Sequence, residues 1–327
     1  MSSMIPASMP QGDRSQLAQS VTQTEPVRET LPTMYDLPSE FPEEPGLPDE
    51  FHDLQPHLLS RTLRLTQYAR ENYFTGTDLN VYYNTDHPLW HKRPDWFLVV
   101  NVPRLYDGHD SRLSYVVWQE GKCPDVIVEF LSPGTEKEDL GRFYDKSAKV
   151  PDNPSFPPPP QLLNEQAEEG TAVKPPKKFE LYERILQVPH YIVYSRYTGR
   201  LRYFKLIRGQ YQEQSLNPEN PRIWLDGLEV GLGIWTGMFD ALPGQWLRWC
   251  DRSGNWFLTD TEQANLEREQ ANLEREQANL EREQARSEQE QIQAQLIQAA
   301  RNLLATGMTI DQVTALLSLT EEQIRSL

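Results

Sequence analysis

Cysteine is almost missing from the chain: Cys123 and Cys250 stand far apart and match neither a disulfide framework nor a zinc site. A reducing cytoplasm is the simple inference. The six histidines (His52, His57, His87, His91, His109, His190) show no metal-ligand spacing. No stretch reaches the ~18 consecutive apolar residues of a membrane span. The N-terminal MSSMIPASMPQGD has no basic start followed by an apolar block, so it does not read as a signal peptide. Positive charge is also short. The formal net charge of −16 argues against a protein whose whole surface grips nucleic acid, because phosphates demand cations. Part of that acidity lies in a Glu-rich C-terminal tail, which leaves room for a local basic groove.

What the chain does have is Cys123 to Thr135, CPDVIVEFLSPGT. Val126 to Leu131 is apolar and mostly β-branched or aromatic, apart from Glu129, and Ser132-Pro133-Gly134 closes it. That pattern is a buried strand ending in a turn. Side chains alternate along a strand, so Asp125, Ile127, Glu129 and Leu131 are expected on one face. A buried ionised carboxylate costs several kcal/mol unless it is paired or holds a metal. A divalent metal is the reason inferred for Glu129.

The first 30 residues are polar and aperiodic and are expected to be disordered. Leu31 to Asp53, rich in Pro and acids, suits an irregular arm better than a helix. Leu54 to Tyr73 carries apolar residues at spacings near three and four, an amphipathic helix. Strands are expected at Leu79–Tyr83, Trp96–Val102 and Tyr115–Gln119, before the central strand. Glu136 to Lys149 begins as a helix and runs into a Pro-rich, exposed insert at about 150–176. Lys178–Gln187 reads as a helix, Tyr191–Tyr194 as a short buried strand, and Leu201–Leu206 with Tyr211–Ser215 as a hairpin around Arg208-Gly209. Ile223–Leu232 and Trp246–Cys250 add strands. The order implies an α/β core with a mixed sheet flanked by helices, over about residues 31–258, followed by a C-terminal helical tail.

The tail, 259–290, repeats EREQANL as an internal heptad through Glu283. Its Ala and Leu positions are spaced two then five, whereas a coiled coil wants three then four. Only one Leu per heptad therefore makes a seam, and a solvated helix with weak self-association is expected. Residues 291–327 read as a helical hairpin, with Gly307 as a stop and Thr309 and Thr320 as N-caps.

Four side chains form the chemical constellation: Asp95, at the start of a strand, Asp125 and Glu129 on the central strand, and Lys178 opening a helix. Mg²⁺ takes one or two carboxylates plus water and phosphate oxygens, and a nearby Lys can hold the attacking water. Acids on adjacent strands plus one Lys suffice for phosphodiester hydrolysis. Each has a plainer alternative; Asp125, directly before the strand, could simply accept backbone hydrogen bonds in a turn.

Pro94-Asp95, Pro124-Asp125-x-x-x-Glu129-x-Leu131-Ser132-Pro133, Lys178-x-x-x-Tyr182 and Val188-Pro189-x-Tyr191 together resemble the Uma-two family of the PD-(D/E)XK restriction-endonuclease-like superfamily. The resemblance implies a mixed sheet flanked by helices and a Mg²⁺-dependent endonuclease (Mn²⁺ as the substitute) acting on nucleic acid, with DNA the expected substrate and a homodimer a natural assembly. Carried over by motif, Asp95 matches the acid of the PD element and Glu129 that of the ExK element, with Asp125 as a third metal ligand. Position 131 is Leu, so the ExK lysine is absent; Lys178 on the following helix is its match, with Lys146 the rival. The departure and the net negative charge keep an alternative open, an inactive nuclease-fold scaffold that binds protein partners through its tail.

Overall fold

The computed structural model of the chain describes residues 49–132, 134–145 and 174–325. The N-terminal segment expected to be disordered, almost all of the Pro-rich insert and Lys146 lie outside the described residues. Helix α1 spans Glu50–Thr62, capped by Asp49, whose side chain accepts from the His52 backbone N–H. It starts earlier than expected and stops sooner. The cap and the acidic first turn (Glu50, Asp53) begin a helix inside what reads as an irregular arm, and Pro56 sits within it. Beyond Leu63 the chain turns at 66–68 and makes a short 3-10 turn at Arg70–Asn72 before strand β1 at Tyr73–Thr77.

Short strands β2 (Val81–Tyr82) and β3 (His91–Lys92) follow, then β4 at Trp96–Val100. The strand expected at Tyr115–Gln119 is only β5, Tyr115–Val116, turning at once into helix α2, Val117–Glu120. The central strand is β6, Val126–Phe130, buried along its whole length. Helix α3 is Glu136–Leu140, and α4 starts at Lys178–Glu180 and widens into a π-helical turn over Leu181–Ile185. Strands β7 (His190–Ser195), β8 (Arg200–Ile207) and β9 (Gln210–Gln214) complete the main sheet. The expected strand Ile223–Leu232 is in fact the end-to-end join of two: β10 (Arg222–Leu225) and β11 (Val230–Phe239), which pair antiparallel across a turn over Asp226–Glu229. Strand β12 spans Leu242–Cys250. Helix α5 then runs unbroken from Asp260 to Ala305, across the boundary expected near residue 290, before α6 (Ile310–Leu317) and α7 (Glu321–Arg325).

The main sheet has the order β1-β4-β6-β7-β8-β9. Within this sheet β6 and β7 pair in parallel, with α3 and α4 on the crossover between them, and the neighbouring pairs are antiparallel. Period-two alternation sends Trp96, Leu98, Val126, Val128 and Phe130 toward α1 and the β10-β11-β12 sheet. The alternate residues Phe97, Val99, Ile127 and Leu131 face Leu140, Phe179 and Tyr182 of α3 and α4. The architecture is thus a mixed α/β fold with a central sheet covered on both faces, as expected from the order of elements. Gly141 lets α3 and α4 close together: it sits at φ +50°, and a Cβ there would lie 2.7 Å from the Phe179 ring.

One buried polar residue fastens α1 to the second sheet. Gln55 donates from Nε2 to the Leu247 carbonyl (2.9 Å) and accepts at Oε1 from the Leu247 N–H (2.7 Å). These satisfy the open edge of β12. Gln55→Leu strands both Leu247 groups without water, so urea unfolding should show a loss of about 2–3 kcal/mol. An unchanged midpoint would mean the edge finds other partners.

His190, at the head of β7, has Nδ1 2.7 Å from the Tyr203 hydroxyl. Burial, with Lys205 adding repulsion, pushes its pKa down from 6.5 to about 4. A lowered folded pKa means the unfolded chain binds the proton more readily, so this contribution is full above pH 6.5 and disappears as pH falls through 4. The expected cost over that window is roughly 2 kcal/mol, allowing for partial solvent screening. His190→Gln should flatten that part of the stability–pH curve. A parent-like slope in the variant would place the proton uptake elsewhere.

Candidate active site

Antiparallel pairing of β4 with β6 places Trp96 opposite Val128. The next pair outward is Asp95 and Glu129. Each carboxylate accepts a backbone N–H across the strand pair: the Asp95 N–H donates to Glu129 Oε2 (3.4 Å), and the Phe130 N–H donates to Asp95 Oδ2 (2.5 Å). The Phe130 carbonyl is held as well, 3.0 Å from Nε2 of His52, whose Nδ1 lies 2.9 Å from Asp49. Both partners of that ring are acceptors, an arrangement that favours the protonated imidazole. Burial alone would lower its pKa, but Asp49 and Asp95 together hold it raised.

Glu129 is fully buried. Helix α4 answers it from across the sheet face: Lys178 Nζ donates to Oε2 at 2.9 Å, and the Tyr182 hydroxyl donates to Oε1 at 2.8 Å. Residues i and i+4 share a helix face, which is why one short helix delivers both donors to one carboxylate. Asp139 of α3 brings a third acid, with Oδ1 3.7 Å from Lys178 Nζ. That oxygen is buried and accepts no hydrogen bond. Glu138 braces the start of α4 by accepting from the Lys178 N–H (3.1 Å) and from Lys92 Nζ (2.6 Å).

The structure therefore brings together Asp95, Glu129 and Lys178, and leaves Asp125 out. Asp125 lies one residue before β6 and four positions from Glu129, roughly 13 Å along an extended strand. Its Oδ2 accepts from the Val100 N–H at 2.8 Å and meets Lys122 Nζ at 3.1 Å. Asp125 therefore caps backbone at this end of β6, with Lys122 rather than the other acids as its charged partner. Two members of the cluster carried no role in the sequence reading. Tyr182 had a usable signal, the Lys178-x-x-x-Tyr182 spacing. Asp139 had none, being one acid within Glu136-Lys137-Glu138-Asp139.

Three carboxyls now surround one ammonium. Burial drives Glu129 up to about 7, with Asp95 adding repulsion and Lys178 pulling the other way. Burial likewise lifts Asp139 to about 7, Lys178 opposing and Glu129 reinforcing. Asp95 is raised chiefly by burial. Burial would lower Lys178, but Glu129, Asp139 and Asp95 hold its pKa well above the ordinary lysine value. Negative charge exceeds positive in a dry place, a condition relieved by protons or by an added cation.

Among the described residues, no group of three or more His, Cys, Asp or Glu side chains converges as a metal cage. Mg²⁺ does not require one, since it is usually held by one or two carboxylates with water and phosphate completing the shell. Hard oxygen donors, excess negative charge and the orphaned Asp139 oxygen fit such an ion.

A family model described as "Putative restriction endonuclease", Uma2, matches residues 28–236. That span takes in every member of the cluster. No curated protein matches the chain. Among the described residues, no helix is long and apolar enough to cross a membrane.

Proposed function

The chain belongs to the Uma2 family, and from that premise we propose that the Asp95–Glu129–Asp139–Lys178 cluster is the centre of a Mg²⁺-dependent endonuclease that hydrolyses phosphodiester bonds in DNA. The observation that carries the reading is the placement of Lys178 Nζ, 2.9 Å from the buried Glu129 carboxylate. On this reading Lys178 of α4 takes the part of the lysine missing from position 131, where Leu131 is buried instead.

Asp95 and Glu129 would hold the cation, with Asp139 available as a further oxygen donor. When bound, the ion neutralises phosphate charge and acidifies its coordinated water. The remaining work belongs to the chain. Tyr182 fixes Glu129 by one oxygen and leaves the other facing Lys178. Glu138 fixes the start of α4, and hence where the ammonium can reach. The ammonium is positioned to orient an attacking water and to meet charge developing on the phosphoryl oxygens. The two backbone hydrogen bonds that Asp95 and Glu129 accept across the strand pair set the spacing of the two acids, which matters because small misplacements are costly in such steps. The scaffold alternative has the net charge of −16 in its favour, but it leaves a buried cluster of three acids and one lysine without a purpose.

The test is incubation of the protein with supercoiled plasmid, single-stranded DNA and RNA, in Mg²⁺ or Mn²⁺ and with a chelator. Nicking or linearisation of plasmid that the chelator abolishes is the expected result. Cleavage of RNA alone would reassign the substrate, and inertness on all three would support the scaffold.

A further inference from the structure

Helix α5 leaves the core firmly fastened and then continues unpartnered. Thr259 and Glu262 form a reciprocal capping box, and Glu262 also pairs with the buried Arg248 guanidinium (2.5 Å). Arg64 reaches Asp260 at 2.9 Å. Beyond this first turn, every residue from 263 to 295 is exposed. The helix has 46 residues, a rod of about 69 Å at 1.5 Å per residue.

A polar helix standing alone in water needs many opposite-charge pairs at i,i+3 or i,i+4. The repeat supplies none between residues 263 and 283. Arg268 and Arg275 each have only Ala and Asn at those spacings; Arg282 has Ala, Asn and Arg286. Among the described residues, the first ion pair within α5 is Arg286–Glu290, past the repeat. The charges are arranged for something else. Leu266, Leu273 and Leu280 are 52%, 60% and 53% exposed and recur every heptad. With these at the d position, Gln263, Gln270, Gln277 and Gln284 fall at a. Glu267, Glu274 and Glu281 then form the e row, and Glu269, Glu276 and Glu283 the g row, while the three arginines fall at f, away from the seam.

A second copy of this chain does not fit that strip. In a parallel pair, g faces e of the partner; in an antiparallel pair, e faces e and g faces g. Every arrangement sets Glu against Glu. The self-association expected from the repeat is therefore disfavoured by the rows that flank its leucines.

We infer that residues 263–284 of α5 form a docking strip for a basic partner helix, one carrying leucines at heptad spacing with Lys or Arg in both flanking rows. Complementary e and g charges select that partner and the leucines hold it. The strip begins within one turn of the capped N-terminus of α5, so the partner would be held next to the domain that carries the cluster. The inference does not depend on nuclease activity.

The experiment uses the full chain and two synthetic four-heptad peptides, both with Leu at d and Asn at a, one with Lys and one with Glu at e and g. Fluorescence anisotropy at pH 7 should show binding of the Lys peptide and none of the Glu peptide. Replacing Leu266, Leu273 and Leu280 together by Ala should weaken the Lys peptide at least about tenfold, since three apolar contacts are lost. Replacing Arg268, Arg275 and Arg282 by Ala should leave it unchanged. Failure of the Lys peptide to bind would overturn the inference. So would binding indifferent to the leucine substitutions, which is charge attraction without a seam, or a dimer of the chain alone at pH 7 that those substitutions dissolve.

Discussion

Glu129→Gln should reduce metal-dependent cleavage by about 10³-fold while the protein still folds. The amide keeps the shape of the side chain and can still accept from Lys178 or Tyr182, which meet Glu129 at 2.9 and 2.8 Å. What it loses is the charge that pairs with a cation. The native side chain is fully buried, with its pKa driven up to about 7 by burial, so the fold holds an ionised carboxylate there only at a cost. Removing the charge should leave thermal stability equal or higher. Activity lost with stability kept separates a chemical role from a structural one; activity and stability falling together would make Glu129 a scaffold residue. Single-turnover cleavage and a thermal melt on the same preparation give both readings.

Lys178→Met is expected to be damaging in both respects. Methionine fills the space of the lysine stem but carries no charge, leaving Glu129, Asp139 and Asp95 facing one another in a buried cluster. Removing one partner of a buried ion pair typically costs ~3–5 kcal/mol, because the remaining charge is left uncompensated. Cleavage should fall by about 10²–10³-fold, the range for losing one preorganised electrostatic stabiliser. Added Mg²⁺ or Mn²⁺ should recover part of the lost stability without restoring the rate, since the ion can offset the charge but cannot orient the water as the ammonium does. Chemical denaturation with and without divalent cation reads this directly. A variant as stable and active as the parent would move the functional lysine away from position 178.

Some of this was legible in the sequence. The apolar run interrupted by Glu129 located β6, because an acid inside a buried strand has few explanations. Trp96 onward was recognisable by the same chemistry, and the Arg208-Gly209 turn marked the β8–β9 hairpin. Other features depended on tertiary context. Alternation relates Asp125 to Glu129 by face but says nothing of distance, and Asp125 meets the Val100 N–H and Lys122 at the far end of β6. The turn over Asp226–Glu229 carries an Asp-Gly signal that the apolar residues on either side outweighed, so two antiparallel strands read as one. The start of α1 was obscured by Pro and acids, although Asp49 is a good cap. Asp139 could not be found at all, since nothing distinguishes it from Glu136 or Glu138 until α3 packs against the sheet and buries it. The heptad repeat was visible, but its consequence for partner choice emerges from the charges flanking the seam.

The most direct test of the central claim is plasmid nicking measured side by side for the parent, Glu129→Gln and Asp125→Asn, with folding of each checked by thermal melting. The expected result is cleavage lost in the first variant and retained in the second, because Asp125 binds the Val100 N–H and Lys122 and stands outside the cluster. Nicking by Glu129→Gln at the parent's rate, or its loss in a folded Asp125→Asn, would contradict the site as assigned.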